Sequence, residues 1–342
     1  MFILTFAIYI AGLYISNIKS MFHITMEKDK KVTIINAADT DKDNKNFNKA
    51  IEMLKKEKGI TLVPQGLRNR INSMSIMGFT NDYIQYSFRT KEDFEIYCKF
   101  TGIKIKSKNK ELANGSVIMS SLQADNRGIK LGDSLKQQDD ESLDQKYILD
   151  AITDNDGYST YYISDTANAC YLVLNNSMNS KDFKELTKKL ETEYEVYSSD
   201  YNYYIDRIDG QMESFSYIYF FIIILLSVVI AVTINAAFAG FYQHRQGEFA
   251  LYKAVGIPRK KLRFKIISEV MLIDITGIVP GACIIILGIY LANNLYLIPN
   301  GFRLLYYDNM PMAGMITSNL VILIPVIISQ GRRLIKADIC NY

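Results

Sequence analysis

The chain has 342 residues, a mean hydropathy of +0.02 and a formal net charge of +3. The near-zero mean combines two unlike parts, since residues 214–342 hold long apolar runs with eleven basic and five acidic residues, whereas residues 19–213 are polar and slightly acidic. A chain of this length predicts two or three structural units, and the absence of a basic cluster interleaved with aromatic residues argues against a nucleic-acid partner.

The first apolar run, at 2–16, predicts a transmembrane helix over residues 1–18. Its roughly 15 residues would form about 22 Å of helix, less than the ~30 Å hydrocarbon core of a bilayer. No basic residue precedes the run and no small-residue cleavage site follows it, although a secretory signal would require both. We therefore interpret it as a transmembrane helix truncated at its start, and a poorly formed signal peptide is the alternative.

Residues 19–200 predict a mixed α+β domain that is large enough to bury a core. Runs rich in β-branched and aromatic residues predict strands at 32–35, 83–88, 96–105, 117–120, 147–152, 159–163 and 169–174. Apolar residues at helical spacing predict helices at 47–58 and 181–194. Cys98 and Cys170 both lie in this region, where a disulfide is one interpretation and two buried free thiols are the favoured one.

The next segment, 201–216, predicts a stalk helix that continues into the following apolar run. Tyr204, Ile208 and Met212 recur at helical spacing, and the segment contains no proline. Gly210 weakens this helix by about 1 kcal/mol relative to alanine. The alternative interpretation is a plain linker.

Three further apolar runs are long enough to cross a bilayer; they lie at 217–241, 267–293 and 312–329. They define a predicted membrane domain over 217–342. The loop 242–266 carries seven basic residues and the C-terminal tail three, against one in the loop 295–311. By the positive-inside rule, the loop 242–266 and the C-terminus are cytoplasmic and residues 19–213 are extracytoplasmic. The predicted fold class is an α-helical membrane protein with four transmembrane helices and a mixed α+β domain inserted between the first two.

Two pairs of small residues lie four positions apart in or beside the predicted spans: Ala236 with Gly240, and Gly277 with Gly281. Small residues at this spacing allow close helix packing. They predict a homodimer or pseudo-dimer, or else packing among the four spans of one chain. Asp274 lies inside a span, where an acidic residue is a functional candidate by default.

The sequence lacks the motifs of the common catalytic and cofactor sites. It contains no GxxxxGK[ST] phosphate loop, no GxSxG and no HExxH. His23 and His244 are the only histidines and lie on predicted opposite sides of the membrane, so a serine triad is not expected. We therefore predict no catalytic residue, no cofactor and no metal site, and a chain that is not itself an enzyme.

The basic loop contains the octet EFALYKAV at 248–255, which predicts a short helix. Gly256 can cap the C-terminus of this helix, and Pro258 can begin a second one. The basic residues that follow are suited to the headgroup region of a bilayer. Two interpretations are equally favoured, namely an interfacial helix that anchors the loop and a docking helix for a cytosolic partner.

The pattern RxxEFALxxAxG at 245–256, followed by Glu269 and by GxxxG at 277–281, resembles the signature of the FtsX-like permeases. The tail GRRLIKAD is similar to the closing segment of that family, with Ile339 where a proline is usual. Residues 115–135 are similar to part of its extracytoplasmic domain, with a polar stretch at 125–130 where most members are apolar. The resemblance implies that Glu269 is a candidate functional acid. It also implies a set of ATPase-docking residues: Glu248, Phe249, Ala250, Leu251, Lys253, Ala254 and Gly256.

What the resemblance implies is a permease subunit of an ABC transporter of the MacB, LolC and FtsX kind, which works by mechanotransmission. The ATPase would be a separate cytosolic subunit, and the cargo a peptide, antibiotic or lipid-like molecule exported or extracted at the outer leaflet, as in antimicrobial peptide export. One alternative is an FtsX-type signalling protein that regulates a cell-wall hydrolase without transport. A third hypothesis is a membrane-anchored structural or receptor protein that has no ATPase.

Overall fold

A computed structural model describes residues 2–38, 41, 43–67, 75–76, 79–80, 85–135, 147–300 and 304–336. The chain forms two compact units. The first consists of Met1–Ile18, Gln211–Asn293 and Leu304–Tyr342, and its described part is mainly helical. The second consists of Lys19–Gly210 and Asn294–Arg303 and contains a β-sheet covered by helices.

The helices are α1 (Phe2–Met26), α2 (Lys45–Leu54), α3 (Lys91–Thr101), α4 (Ser121–Arg127), α5 (Ser180–Tyr194), α6 (Tyr201–His244), α7 (Gln246–Ala254), α8 (Arg259–Ala292) and α9 (Asn309–Lys336). The strands are β1 (Val32–Asn36), β2 (Ile60–Gly66), β3 (Ser75–Ile76), β4 (Phe79–Thr80), β5 (Gln85–Phe88), β6 (Lys104–Lys108), β7 (Val117–Ser120), β8 (Ser134–Leu135), β9 (Tyr147–Asp154), β10 (Thr160–Ile163), β11 (Ala167–Asn175) and β12 (Tyr197–Asp200).

The main sheet of the second unit has the strand order β12-β1-β11-β2-β5-β10-β7-β9-β6, and β8 pairs with β9. Most pairs are antiparallel, whereas β5–β10 and β7–β9 are parallel. Alternate residues of β1 enter different cores, because side chains on a strand point to opposite faces. Ile34 packs with the aromatic residues of α3, and Ile35 packs with α2 and α5. The sheet is therefore covered by helices on both faces.

The strand predicted at 96–105 is wrong, because the structure forms α3 there and the strand begins only at Lys104. A capping box begins the helix, since Thr90 Oγ1 accepts a hydrogen bond from the Asp93 amide and the Asp93 carboxylate accepts one from the Thr90 amide. Gly102 ends it at a φ of +77°. The buried face of α3 contains Cys98, and the two buried cysteines Cys98 and Cys170 form no disulfide within the described residues.

Asp29, at the junction of α1 with the α/β core, is a buried carboxylate. It accepts hydrogen bonds from the hydroxyl groups of Tyr97 (2.6 Å) and Tyr86 (3.0 Å). Lys28 Nζ lies 3.7 Å from the same carboxylate and donates to the Thr25 carbonyl (2.7 Å). Burial, followed by the charge of Asp29, holds the pKa of Tyr97 well above its usual value, so this hydroxyl remains a donor. The C-terminal end of α1 is thus bound into the core of the α/β unit.

Three helices in the described residues are long and apolar enough to cross a membrane; they are Tyr201–His244, Arg259–Leu297 and Asn309–Gln330. The predicted stalk and the second predicted span are one uninterrupted helix, α6. The span predicted at 1–18 lies in α1, which is helical but is not among the three. The predicted total of four spans and the position of the inserted domain therefore stay predictions.

Within the helical unit, α1 packs closely against α6 and the start of α9. The Tyr219 hydroxyl donates to the Ile8 carbonyl (2.8 Å), and the Tyr9 hydroxyl donates to the Tyr306 carbonyl (2.7 Å). Gly12 makes this packing possible, because a Cβ there would lie 2.5 Å from Tyr219 Oη.

Replacing Gly12 with alanine is expected to loosen this packing. The added Cβ would also lie 2.9 Å from the Pro311 Cα, and overpacking of this kind costs about 1–3 kcal/mol. The midpoint of thermal unfolding of the purified chain in detergent should fall. Gly288→Ala is the matched control, because a Cβ at Gly288 meets nothing within 4 Å and alanine is the better helix former. Equal midpoints for the two variants would contradict the assignment.

Candidate docking site in the basic loop

The basic loop folds into the short helix α7, whose end is set by a glycine. The Ile257 amide donates to the Tyr252 carbonyl and the Gly256 amide to the Lys253 carbonyl, both at 3.0 Å, which is the Schellman arrangement. Gly256 has a φ of +84°, a backbone conformation that favours glycine. Pro258 then precedes the first residue of α8. The predicted helix, its glycine cap and the proline start of the next helix all have counterparts in the structure.

An ionic cluster holds α7 in place, and Glu248 is its centre. Arg245 donates two hydrogen bonds to the Glu248 carboxylate, from Nε at 2.7 Å and from Nη2 at 2.9 Å. The Tyr252 hydroxyl donates to the same carboxylate at 2.9 Å, and Lys265 Nζ donates to it at 3.1 Å. Lys265 Nζ also lies 2.8 Å from the Tyr252 hydroxyl. Because Lys265 belongs to α8, these bonds tie α7 to α8.

Arg245 also connects the end of α6 to α8. Its Nη1 donates to Glu269 Oε2 at 3.0 Å. The hydroxyl of Tyr242, near the end of α6, donates to the same oxygen at 3.3 Å. The three helices α6, α7 and α8 therefore share one network of charged hydrogen bonds, which are roughly twice as strong as neutral ones.

Beneath the ionic cluster, Phe249 fills an apolar core. Its side chain is 3% exposed. The ring centroid lies 5.8 Å from that of Tyr242 and 6.2 Å from that of Tyr252, and the Arg245 guanidinium lies 5.5 Å above the ring. This core also contains Leu262, Ile266 and Val270 of α8 and Val326 of α9. Phe249 thus packs α7 against the membrane helices and does not lie on its exposed side.

The groups around Glu248 lower the pKa of its carboxyl group. The hydrogen bonds from Arg245, followed by those from Lys265 and Tyr252, lower the pKa of Glu248 to about 2. The same contact with Glu248 raises the pKa of Arg245. At physiological pH both members of the pair are therefore charged.

The lowered pKa predicts that α7 packing is independent of pH above about 5. In an unfolded chain a glutamate titrates near 4.3, so the stabilisation from Glu248 is complete above that value and is lost as the pH falls towards 2. A spin label on Val255→Cys should become more mobile over this acidic range. Glu248→Gln should leave the label mobile at every pH. A transition near pH 7, or one that persists in Glu248→Gln, would contradict the prediction.

The opposite side of α7 is exposed and apolar. We call it the α7 face, and it consists of Gly247, Leu251, Ala254 and Val255. Leu251 is 64% exposed and Val255 is 75% exposed. The basic residues that follow, Arg259, Lys260 and Lys261, are also exposed. A rigidly held helix thus presents an apolar stripe beside a positive charge.

The residues predicted as a docking set separate into two groups. Glu248 and Phe249 belong to the cluster and core described above. Leu251, Ala254 and Gly256 are exposed, and Ala250 and Lys253 are half-buried. Their role in binding a partner stays a prediction.

The other predicted residues are dispersed. Glu269 is the partner of Arg245. Asp274 is buried, and its Oδ1 has no hydrogen-bond partner among the described residues. Gly281 is buried and Gly277 half-buried, whereas Ala236 and Gly240 are exposed in the single chain.

Sequence reasoning did not assign Tyr242, Tyr252 and Lys265 to the site. A signal was available for Tyr252, because Arg245, Glu248 and Tyr252 are spaced at i, i+3 and i+7 and therefore share one side of a helix. Tyr242 and Lys265 come from neighbouring helices, and no local spacing reveals them.

The family comparison matches the part of the chain that contains this site. Residues 218–330 match the model of the FtsX-like permease C-terminal domain. Over these residues, the chain is similar to the FtsX-like permease family. No curated protein matches the chain. The matched segment contains the whole ionic cluster, the α7 face and the three candidate spans apart from the first residues of α6.

Two solved structures resemble the chain over about half of its length. One is the periplasmic region of MacB from Actinobacillus actinomycetemcomitans, with 14% identity, a TM-score of 0.31, and coverage of 54% of this chain and 94% of that one. The other is a domain of a protein described as a permease from Porphyromonas gingivalis, with 9% identity, a TM-score of 0.31, and coverage of 50% and 90%. At these scores the likeness supports no conclusion about activity.

Proposed function

We propose that this chain is the permease subunit of an ABC transporter, and that a separate cytosolic ATPase binds the α7 face. The observation that carries the proposal is the rigid presentation of that face, since an exposed apolar stripe on a helix clamped to both α6 and α8 suits the transfer of force. An anchor that merely lies in the interface needs no ionic connection to two membrane helices.

Helix α6 supplies a path for the force. Its 44 residues correspond to about 66 Å of uninterrupted helix, roughly twice the hydrocarbon core of a bilayer. Closure of an ATPase dimer would displace α7, and the Arg245–Glu248–Glu269 connections would pass the displacement to α6 and α8. The extracytoplasmic α/β unit would respond by exporting or extracting a peptide, antibiotic or lipid-like cargo. A second copy or a second permease half would complete the transporter, with the exposed Ala236 and Gly240 as one packing surface.

Cysteine labelling tests the topology on which this proposal depends. In a background with Cys283→Ser and Cys340→Ser, Val255→Cys should resist a membrane-impermeant maleimide on intact cells and react after permeabilisation. Tyr197→Cys, exposed on β12, should react on intact cells. A cross-linker at residue 255 should then capture a polypeptide whose sequence contains a phosphate loop. Labelling of residue 255 on intact cells, or capture of a partner without that motif, would contradict the proposal.

A further inference from the structure

The α/β unit contains an open cleft of about 1,420 Å³ that is distinct from the docking site. Its walls come from the end of α1, the end of α3, the start of α4 and the turn between β9 and β10. Pockets for drug-sized ligands usually measure about 300–1,000 Å³. The cleft therefore has room for a larger or more extended molecule.

Three large aliphatic side chains converge in this cleft. Ile24 is 53% exposed, Ile96 is 43% exposed and Leu122 is 38% exposed. Single exposed aliphatic residues are common on protein surfaces, but these belong to α1, α3 and α4 and meet in one concavity. The ring of Phe100 also lines it. The cleft thus offers a hydrocarbon-binding wall on three separate elements.

The three acidic residues of the cleft are all paired. Glu27 binds Lys30, and Asp154 accepts from the Ser121 hydroxyl and lies 3.7 Å from Lys106. Asp156 is buried and accepts from the Thr153 hydroxyl at 2.6 Å.

The four lysines of the cleft differ in whether a neighbouring side chain or carbonyl binds their ammonium group. Lys28 is bound to Thr25 and Ser159, and Lys30 to Glu27. Lys31 and Lys99, in contrast, have no ion-pair partner in the part of the chain that the structure describes. After this internal pairing, two ammonium groups are left beside the aliphatic wall.

We propose that the cleft binds an anionic amphiphile, a lipid-like molecule whose acidic head group contacts Lys31 and Lys99 and whose hydrocarbon part contacts Ile24, Ile96 and Leu122. The identification of this molecule as cargo rests on the proposed export function, whereas the binding itself does not. The lysine charges select the acidic head group, and apolar contacts bind the hydrocarbon part. Both parts of the ligand therefore contribute to the affinity.

Tryptophan fluorescence tests this binding directly, because the chain contains no tryptophan. Ile96→Trp places a single reporter in the cleft, and Tyr197→Trp places one on the exposed edge strand β12, outside the cleft. Lysophosphatidylglycerol with a brominated acyl chain is added to the full chain held in a non-ionic amphipol, without any ATPase. The lipid should quench the fluorescence of the reporter at position 96 in a saturable manner and leave the fluorescence of the reporter at position 197 unchanged.

Charge variants test the head-group contact. In the Ile96→Trp background, Lys31→Gln with Lys99→Gln should weaken binding by about 10-fold, the loss expected for two partly exposed ion pairs. Lys104→Gln with Lys188→Gln removes the same charge from exposed positions outside the cleft and should leave the affinity unchanged. Brominated lysophosphatidylcholine carries the same acyl chain on a zwitterionic head group. It should bind about 10-fold more weakly than the phosphatidylglycerol form.

Three results would overturn the inference: equal quenching of residues 96 and 197, equal affinity for the two lipids, and binding of an acidic peptide at the cleft without binding of the lipid. The results that would contradict the transporter proposal are different from these three. A cleft that binds no lipid leaves ATPase capture at residue 255 unaffected, and loss of ATPase binding at the α7 face leaves quenching at residue 96 unaffected.

Discussion

Replacing Leu251 with aspartate is expected to abolish coupling to the ATPase while the chain still inserts into the membrane. Leu251 lies in the middle of the α7 face and is 64% exposed, so a charge there costs the isolated chain little. In a complex the same charge would be buried against an apolar partner surface without a counter-ion. A central interface residue of this kind contributes at least about 2 kcal/mol, which corresponds to a loss of affinity of about 30-fold or more.

The measurement is ATPase activity and co-purification of the partner subunit at equal levels of membrane-inserted chain. Leu67→Asp is the matched control, because Leu67 is also an exposed leucine but lies in the α/β unit. It should leave both quantities unchanged. Phe249→Asp is a poor test, because it would bury a charge in the core beneath the cluster. Normal coupling in Leu251→Asp would exclude the α7 face as the docking surface.

Replacing Asp29 with alanine is expected to destabilise the α/β unit by about 3–5 kcal/mol. The change removes the acceptor of two buried tyrosine hydroxyls and the nearest carboxylate to the buried Lys28 ammonium group. Removal of one member of a buried charged cluster is costly, because the remaining groups keep their desolvation penalty. The sheet and α3 should then exchange their amide hydrogens far faster.

Hydrogen exchange in the full-length chain measures this effect. Tyr97→Phe removes one hydrogen bond and should cost about 1–1.5 kcal/mol. Glu27→Ala, two residues away, removes an exposed ion pair with Lys30 and should change the exchange rates of β5, α3 and β10 little. The assignment fails if Asp29→Ala exchanges no faster than Glu27→Ala.

The elements that the sequence predicted well are those specified by local patterns. Long apolar runs predicted the three helices that are able to cross a membrane, because the length of a span is a property of consecutive residues. Helical spacing and the lack of proline predicted helix over 201–216. The aromatic and β-branched composition of 96–105 predicts a strand, but the capping box at Thr90 and the glycine at 102 delimit a helix that occupies most of this segment.

The candidate site was predictable in position but not in orientation. Phe249 and Leu251 are both apolar and lie two residues apart, which places them about 200° apart around a helix. The amino-acid composition does not indicate which of these two side chains packs against the rest of the protein. The contacts of α6, α8 and α9 decide it, since Tyr242, Ile266 and Val326 form the pocket that the Phe249 ring fills.

The sequence by itself determined the apolar spans, the basic loop and the resemblance to a permease family, because these depend on residue type and spacing along the chain. The tertiary structure alone decided that Glu248 is the centre of a cluster, that Asp29 is buried beneath two tyrosines, and that Ile24, Ile96 and Leu122 share a cleft. Each of these joins residues from separate elements. Such contacts arise only when the elements pack, and no local pattern records which distant side chains will meet.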